Sequence, residues 1–339
     1  MTDMDIARFD FDFDTTWTAF FLDADRNIYS RYGGRDESTS DGRQTKASLL
    51  QTMREVLELH EQRKAAGRLL VKDNDVHPSP AEKLTPKDIP LLRDNHSGCV
   101  HCHQVREYRL LQAAHDGKFS RDDLFPFPLP ENLGVTFDRD HGHRVKRIEP
   151  ESAAASSGLR PGDTILRVND VAVHSEGDVR WALHRAREDQ PLSIVARRES
   201  DSGDAATSTT ELRPPANWKQ TDLGWRKSLR SVPLSLGFLG YALGREEKKT
   251  AGLADDSLAI KVASIRGSGL ATNVGLKKGD LIIELASRRR VRTFEQFQSD
   301  QLRAYQPNDT VRVVVLRDGK EVAIEGPFPP WHTKETSVP

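Results

Sequence analysis

The sequence predicts a multidomain α+β protein, and three observations carry that prediction. The chain has 339 residues with only 36% apolar and 30% charged side chains, which suits small domains joined by polar segments better than one large core. A stretch from Val145 to Leu166 recurs without gaps 117 positions later, from Val262 to Ile283. The chain's two cysteines, Cys99 and Cys102, lie three positions apart in a proline-broken region. With Lys+Arg 50 against Asp+Glu 51, the net charge of −1 argues against nucleic acid or an anionic membrane as the main partner. No apolar run reaches membrane-spanning length, and no basic segment followed by an apolar one opens the chain.

Taken in order, Phe9-Asp10-Phe11-Asp12-Phe13-Asp14 alternates strictly, which predicts a strand with three Phe on one face. The apolar residues 16–22 predict a buried strand, 23–27 a polar turn, and 28–32 a return strand ended by Gly33-Gly34. Leu49, Leu50, Met53, Val56, Leu57 and Leu59 recur at helical spacing and predict an amphipathic helix over 47–66. This order of strand, turn, strand, Gly-Gly and helix resembles the C-terminal half of a thioredoxin-like domain, truncated as in multidomain proteins of planctomycete-type bacteria. The resemblance implies a partial thioredoxin-like α/β segment over residues 1–70, without the strand and helix that carry that fold's redox motif. Seven prolines between positions 78 and 130 predict an irregular insert over 71–130, with one helix from about 104 to 114.

The repeat aligns Ala154, Gly158-Leu159, Gly162-Asp163 and Ile165 with Ala271, Gly275-Leu276, Gly279-Asp280 and Ile282. The small Ala suits a short helix packed tightly on a sheet, the first Gly a left-handed helix end, and Gly-Asp a turn into a buried strand. Each copy continues into a helix candidate, 176–187 or 293–304, and then a strand, 192–197 or 310–317. Each copy resembles a PDZ domain of the circularly permuted type found in bacterial high-temperature-requirement proteases. The resemblance implies two β-barrel-like domains, at 131–198 and 218–328, joined by a polar linker over 199–217 and followed by a tail over 329–339. It also implies binding of extended peptides, above all protein C-termini, by strand addition beside the later helix. In the first copy the residues matching that groove are Leu133, Gly134, Val135 and Phe137, faced by Val179 and Leu183. In the second they are Gly237, Phe238 and Leu239, where a polar insertion over 245–256 departs from the first copy. No Gly-x-Ser-x-Gly nucleophile setting occurs, so the expectation is a non-enzymatic protein.

Cys99-Val100-His101-Cys102-His103 matches the c-type haem attachment pattern, in which two thiols take the vinyl groups and the adjoining His103 takes the iron. His77, His96, His115, His141 and His143 are the candidates for a sixth ligand. A zinc site built from Cys99, Cys102, His96, His101 and His103 is the alternative, and a redox dithiol or a motif without cofactor remains open. The sequence-level expectation is therefore a non-enzymatic, peptide-binding tandem of PDZ domains carrying haem c. Its alternatives are an electron-transfer or thiol-redox protein and a structural zinc protein. Haem attachment implies a periplasmic or other extracytoplasmic location, whereas the missing leader points to the cytoplasm. A chain that starts downstream of the true N-terminus would reconcile the two.

Overall fold

The computed structural model describes residues 2–67, 77, 80, 82–95, 98–199, 204–229, 237–267, 269–290 and 292–330. In chain order, β1 (Ala19–Leu22), β2 (Ile28–Tyr32) and α1 (Lys46–Ala65) precede the short α2 (Pro90–Asn95) and α3 (Cys102–His115). There follow β3 (Val135–Phe137), β4 (Val145–Ile148), α4 (Ala153–Ser157), β5 (Thr164–Val168), β6 (Val171–Ala172), α5 (Glu176–Arg185), β7 (Leu192–Glu199) and β8 (Ala205–Leu212). The chain continues as β9 (Phe238–Ala242), α6 (Arg245–Thr250), β10 (Ile260–Ile265), α7 (Leu270–Val274), β11 (Leu281–Leu285), α8 (Phe294–Ala304), β12 (Thr310–Arg317) and β13 (Lys320–Pro327). Two compact units result. One holds residues 1–88 and 125–221, the other 89–124 and 222–339. The architecture is mixed α/β, as expected.

In the first unit β1 and β2 form an antiparallel hairpin. Asp23 closes its turn by accepting from the backbone and side-chain nitrogens of Asn27, each at 2.9 Å. All five residues of β2 are buried, because the strand lies between α1 and α5. Tyr32 donates its hydroxyl to the Thr45 carbonyl, and the Ser175 hydroxyl donates to the Arg31 carbonyl. The expected alternating strand over 9–14 is absent: this stretch is irregular chain between turns. Asp12 is buried with the phenyl groups instead of facing solvent, since its carboxylate meets the buried Arg180 at 3.2 Å and also accepts from the Asp14 amide. The helix α1 is present, but it buries Ser48, Thr52 and Val56 while Leu50, Met53 and Leu57 stay exposed. Hydrogen bonds chose that face. Ser48 meets the Tyr32 hydroxyl at 2.7 Å and Thr52 donates to the His174 carbonyl at 3.0 Å. The hairpin and helix thus follow the expected order, and among the described residues their sheet has two strands, too few to establish a thioredoxin-like sheet.

The rest of the first unit is a sheet in which β3 pairs β4, a bridge between Arg144 and Thr164 joins β4 to β5, and β5 continues through β7 to β8. Residues 205–212, expected within a polar linker, are the edge strand β8. The second unit repeats the order as one five-stranded sheet, β9-β10-β11-β12-β13. The repeat explains the match. Gly158 and Gly275 end α4 and α7 at φ +86° and +74°, a left-handed conformation that costs a glycine little. Asp163 and Asp280, both buried, each close the turn they end by accepting from the amide three residues earlier, and each takes a two-nitrogen grip from Arg198 or Arg317 at 2.6–2.8 Å.

The core of the second unit gathers Phe238, Ile260, Val262, Ile282, Phe297, Val311 and Val313. Its other sheet face, Ala259, Leu281, Ile283 and Val314, is covered by Leu243, Ala251 and Leu253 beside α6. The polar insertion over 245–256 is therefore a lid on the outer face of the sheet. In the same unit α2 and α3 pack together, and the Arg106 guanidinium donates to Ser228 and to the carbonyls of Asp123 and Leu124. Trp218 lies in the core of the first unit, where the Asn132 amide donates to its carbonyl at 2.6 Å.

Candidate functional site

In the first unit a short turn, Pro130–Leu133, ends at Gly134 and releases the chain into β3. Gly134 has φ +87°, and its carbonyl accepts from the Glu149 amide at 2.9 Å. In the second unit the Gly237 carbonyl accepts from Arg266, 117 residues beyond Glu149, so the two loops are built alike. A Cβ on Gly134 would fall 2.2 Å from the side chain of Ser152. A bulky residue there therefore strains the fold as well as the loop. Gly134→Ala should cost about 2–4 kcal/mol by left-handed strain and overpacking, read as a lowered denaturation midpoint; an unchanged midpoint would refute this geometry.

The nominated groove residues do come together. Leu133, Val135 and Phe137 on one side and Val179 and Leu183 on the other line a wholly apolar cleft of about 20 Å³, room for one water, whose floor is the domain core at Leu159, Ile165, Ile194 and Leu212. All five are at least nine-tenths buried, so the cleft is shut rather than open to solvent. In the second unit Phe238 is buried against Phe294 and Phe297, whereas Leu239 points outward and is exposed. Counted from the N-caps Ser175 and Thr293, the place of Leu183 is taken by the buried Gln301.

The polar stripe of α5 was missed at the sequence level. Glu176, Arg180 and His184 stand at spacings of four on one flank of the helix. Arg43 binds Glu176, Glu131 at 3.0 Å and Asp36 at 2.7 Å. Burial opposes the charge of Arg43, yet Glu176 and Glu131 hold its pKa above the ordinary range. Burial likewise raises the Glu176 carboxyl, while Arg43 pulls it back. Arg180, only 2% exposed, donates to the carbonyls of Phe127 and Arg35 and pairs with Asp12. The ring of Phe127 stacks on His184 at 4.5 Å. These contacts join residues far apart in sequence, and no local pattern announces them.

Ser30, His77 and Asp178 also meet, but not as a nucleophile and its base. The Ser30 hydroxyl donates directly to Asp178 at 2.8 Å, and all three groups are buried. His77 meets the Ala172 carbonyl through Nε2 at 2.9 Å and the Arg31 guanidinium through Nδ1. Burial holds its imidazole well below the usual pKa, so it is neutral: Nε2–H donates and Nδ1 accepts. A second group forms where Glu55 reaches His143 at 3.5 Å and His174 at 3.4 Å. His77 and His143, two of the candidate axial ligands, are thus engaged inside the first unit.

Cys99 is exposed, and Cys102 is half-buried as the first residue of α3. Burial pushes the Cys102 thiol up, the opposite of what a redox dithiol needs. The rings of His101 and His103 stack at 5.9 Å, and His103 Nδ1 is buried without a hydrogen-bond partner. His96 lies outside the described residues. Among the described residues no group of three or more His, Cys, Asp or Glu side chains could hold a metal ion.

A PDZ domain profile matches residues 132–209. A probable periplasmic DegP-like serine endoprotease of Marinomonas sp. is 25% identical over 184 residues, covering 52% of this chain and 36% of that protein. The magnetosome formation protease MamE of Magnetospirillum gryphiswaldense is 26% identical over 184 residues, covering 48% of this chain and 24% of its own. The solved HtrA-type protease AlgW with decapeptide is 20% identical, with a TM-score of 0.24, covering 41% of this chain and 50% of that one. The chain thus spans about a third or less of the length of these two curated relatives. The relatives overturn the expectation of a non-enzymatic, haem-carrying module, since the curated proteins similar to part of this chain are named as proteases, several of them serine endoproteases. They are named periplasmic in several cases, which leaves the cytoplasmic expectation without support. No described helix is long and apolar enough to cross a membrane. Residues 132–209 form a PDZ domain of the HtrA type.

Proposed function

We propose that this chain belongs to HtrA-type proteolysis in the periplasm, where its first PDZ domain recognises extended peptides by their C-termini. PDZ domains in general bind such termini by adding the peptide as a strand. The observation that carries the reading is the coincidence of the PDZ match at 132–209 with the cleft between β3 and α5. The backbone loop at Gly134 leads into β3, and β3 has β4 as its strand partner on one side only among the described residues. The second unit, with the same strand order and an equivalent loop at Gly237, is read as a second PDZ domain whose groove differs at Gln301. Peptide recognition of this kind would select what a protease cuts, and the relatives are named as serine endoproteases.

The test is binding of dye-labelled peptides with free apolar C-termini, followed by fluorescence anisotropy. Amidating the terminus should weaken binding by about tenfold or more, because it removes a charge-assisted contact with the loop amides. Equal binding of free and amidated peptides would contradict the reading. A parallel casein-cleavage assay with a serine-directed inhibitor reports whether the chain itself hydrolyses peptide bonds.

A further inference from the structure

We propose that the first PDZ groove is held shut by the chain's own residues, with Phe127 as internal ligand and Arg43 as strap. This rests on the peptide-binding reading and adds its regulation and ligand class. The flank of α5 formed by Glu176, Arg180 and His184 adjoins the flank that lines the cleft, Val179 and Leu183. Every member of that flank is taken by another segment of the same unit. His184 carries the Phe127 ring and Arg180 the Phe127 carbonyl at 2.9 Å, so one residue satisfies both an aromatic and an acceptor position. Phe127 sits between Pro126 and Pro128 at φ +51°, a conformation unfavourable for a residue with a side chain and maintained here by these contacts.

Arg43 supplies the second constraint. Its guanidinium binds Glu131 in the turn before Gly134 and Glu176 in the first turn of α5, so it ties one wall of the cleft to the other. Asp36 holds it from its own segment. With both walls tied, the cleft is left with about 20 Å³, far below what an apolar peptide side chain fills. A peptide must therefore displace Phe127 and part the strap. The internal contacts describe the ligand that would do so: an extended peptide with an aromatic residue for His184 beside an acidic one for Arg180, the role Asp12 plays at 3.2 Å.

The experiment uses the full chain and a labelled decapeptide containing Asp-Phe near a free C-terminus, with a Lys-Ala version as control. Phe127→Ala and Arg43→Gln should each tighten binding of the Asp-Phe peptide by about tenfold over wild type, as the binding-competent fraction rises. Arg43→Lys should fall between. Amide hydrogen exchange of β3 and α5 should quicken in the same two variants. If Phe127→Ala does not fold, Arg43→Gln carries the test alone, since glutamine keeps an amide donor for the carboxylates around it. Equal affinity and equal exchange in wild type and variants would overturn the closure while leaving peptide binding intact. Faster exchange without binding of any peptide would uphold the closure and refute the peptide-binding reading. Equal tightening for the Lys-Ala peptide would overturn the ligand class.

Discussion

Asp178→Ala should destabilise the first unit by about 3–5 kcal/mol, the cost of breaking a buried charged network from one side. Asp178 is fully buried and accepts from the Arg31 amide at 2.6 Å, the Ser30 hydroxyl at 2.8 Å and the His174 amide at 2.9 Å. Through these bonds the N-terminus of α5 holds β2, so the carboxylate joins two layers. Its loss would strand two amides and a hydroxyl and remove a favourable charge near the Arg31 guanidinium, whose pKa burial already brings down to about 9. Asp178→Asn, which keeps acceptor capacity, should cost less. Urea denaturation of the three proteins checks the order; a loss for the alanine variant within about 0.5 kcal/mol would refute the role.

The same site sets a pH dependence. Burial raises the Asp178 carboxyl from its ordinary 3.8 to about 6. It therefore binds its proton more tightly folded than unfolded, and its contribution to stability, full at low pH, fades as pH rises through 4 to 6. Burial lowers His77 and His143, so their contribution, present above pH 6.5, is lost on acidification. Removing the carboxyl removes the opposing effect: Asp178→Asn should lose stability more steeply than wild type between pH 6.5 and 5.

Phe297→Ala should have a comparable effect on the second unit, about 3–5 kcal/mol for emptying a large core position. Phe297 is 2% exposed and meets both Phe238 and Phe294 at 6.3 Å between ring centroids. Counted from the N-cap it occupies the place of Val179, so the two copies fill one position with different volumes. Amide exchange in β10, β11 and β12 is the appropriate measure, and protection unchanged from wild type would show that α8 does not support the sheet.

Much of the repeated architecture was legible because its determinants are local. Gly158 and Gly275 end helices, Gly162-Asp163 and Gly279-Asp280 turn the chain, and alternating apolar residues mark each strand's buried face. Through the family resemblance that these local signals carry, Leu133, Val135, Phe137, Val179 and Leu183 were nominated for one groove, and the structure brings these five around one cleft, with Gly134 in the loop before it. The alternation at 9–14 misled for the opposite reason. It predicts a strand only if Asp faces water, and Arg180, 168 residues away from Asp12, provided a buried partner instead. The leucine stripe of α1 failed likewise, since hydrogen bonds from Ser48 and Thr52 outweighed it in choosing the packed face. By itself the sequence determined turns, caps and strand patterns, which depend on neighbours a few residues apart. The tertiary structure alone decided whether the groove is open, because closure rests on Arg43, Phe127 and Arg180, buried charges and rings whose partners come from distant segments.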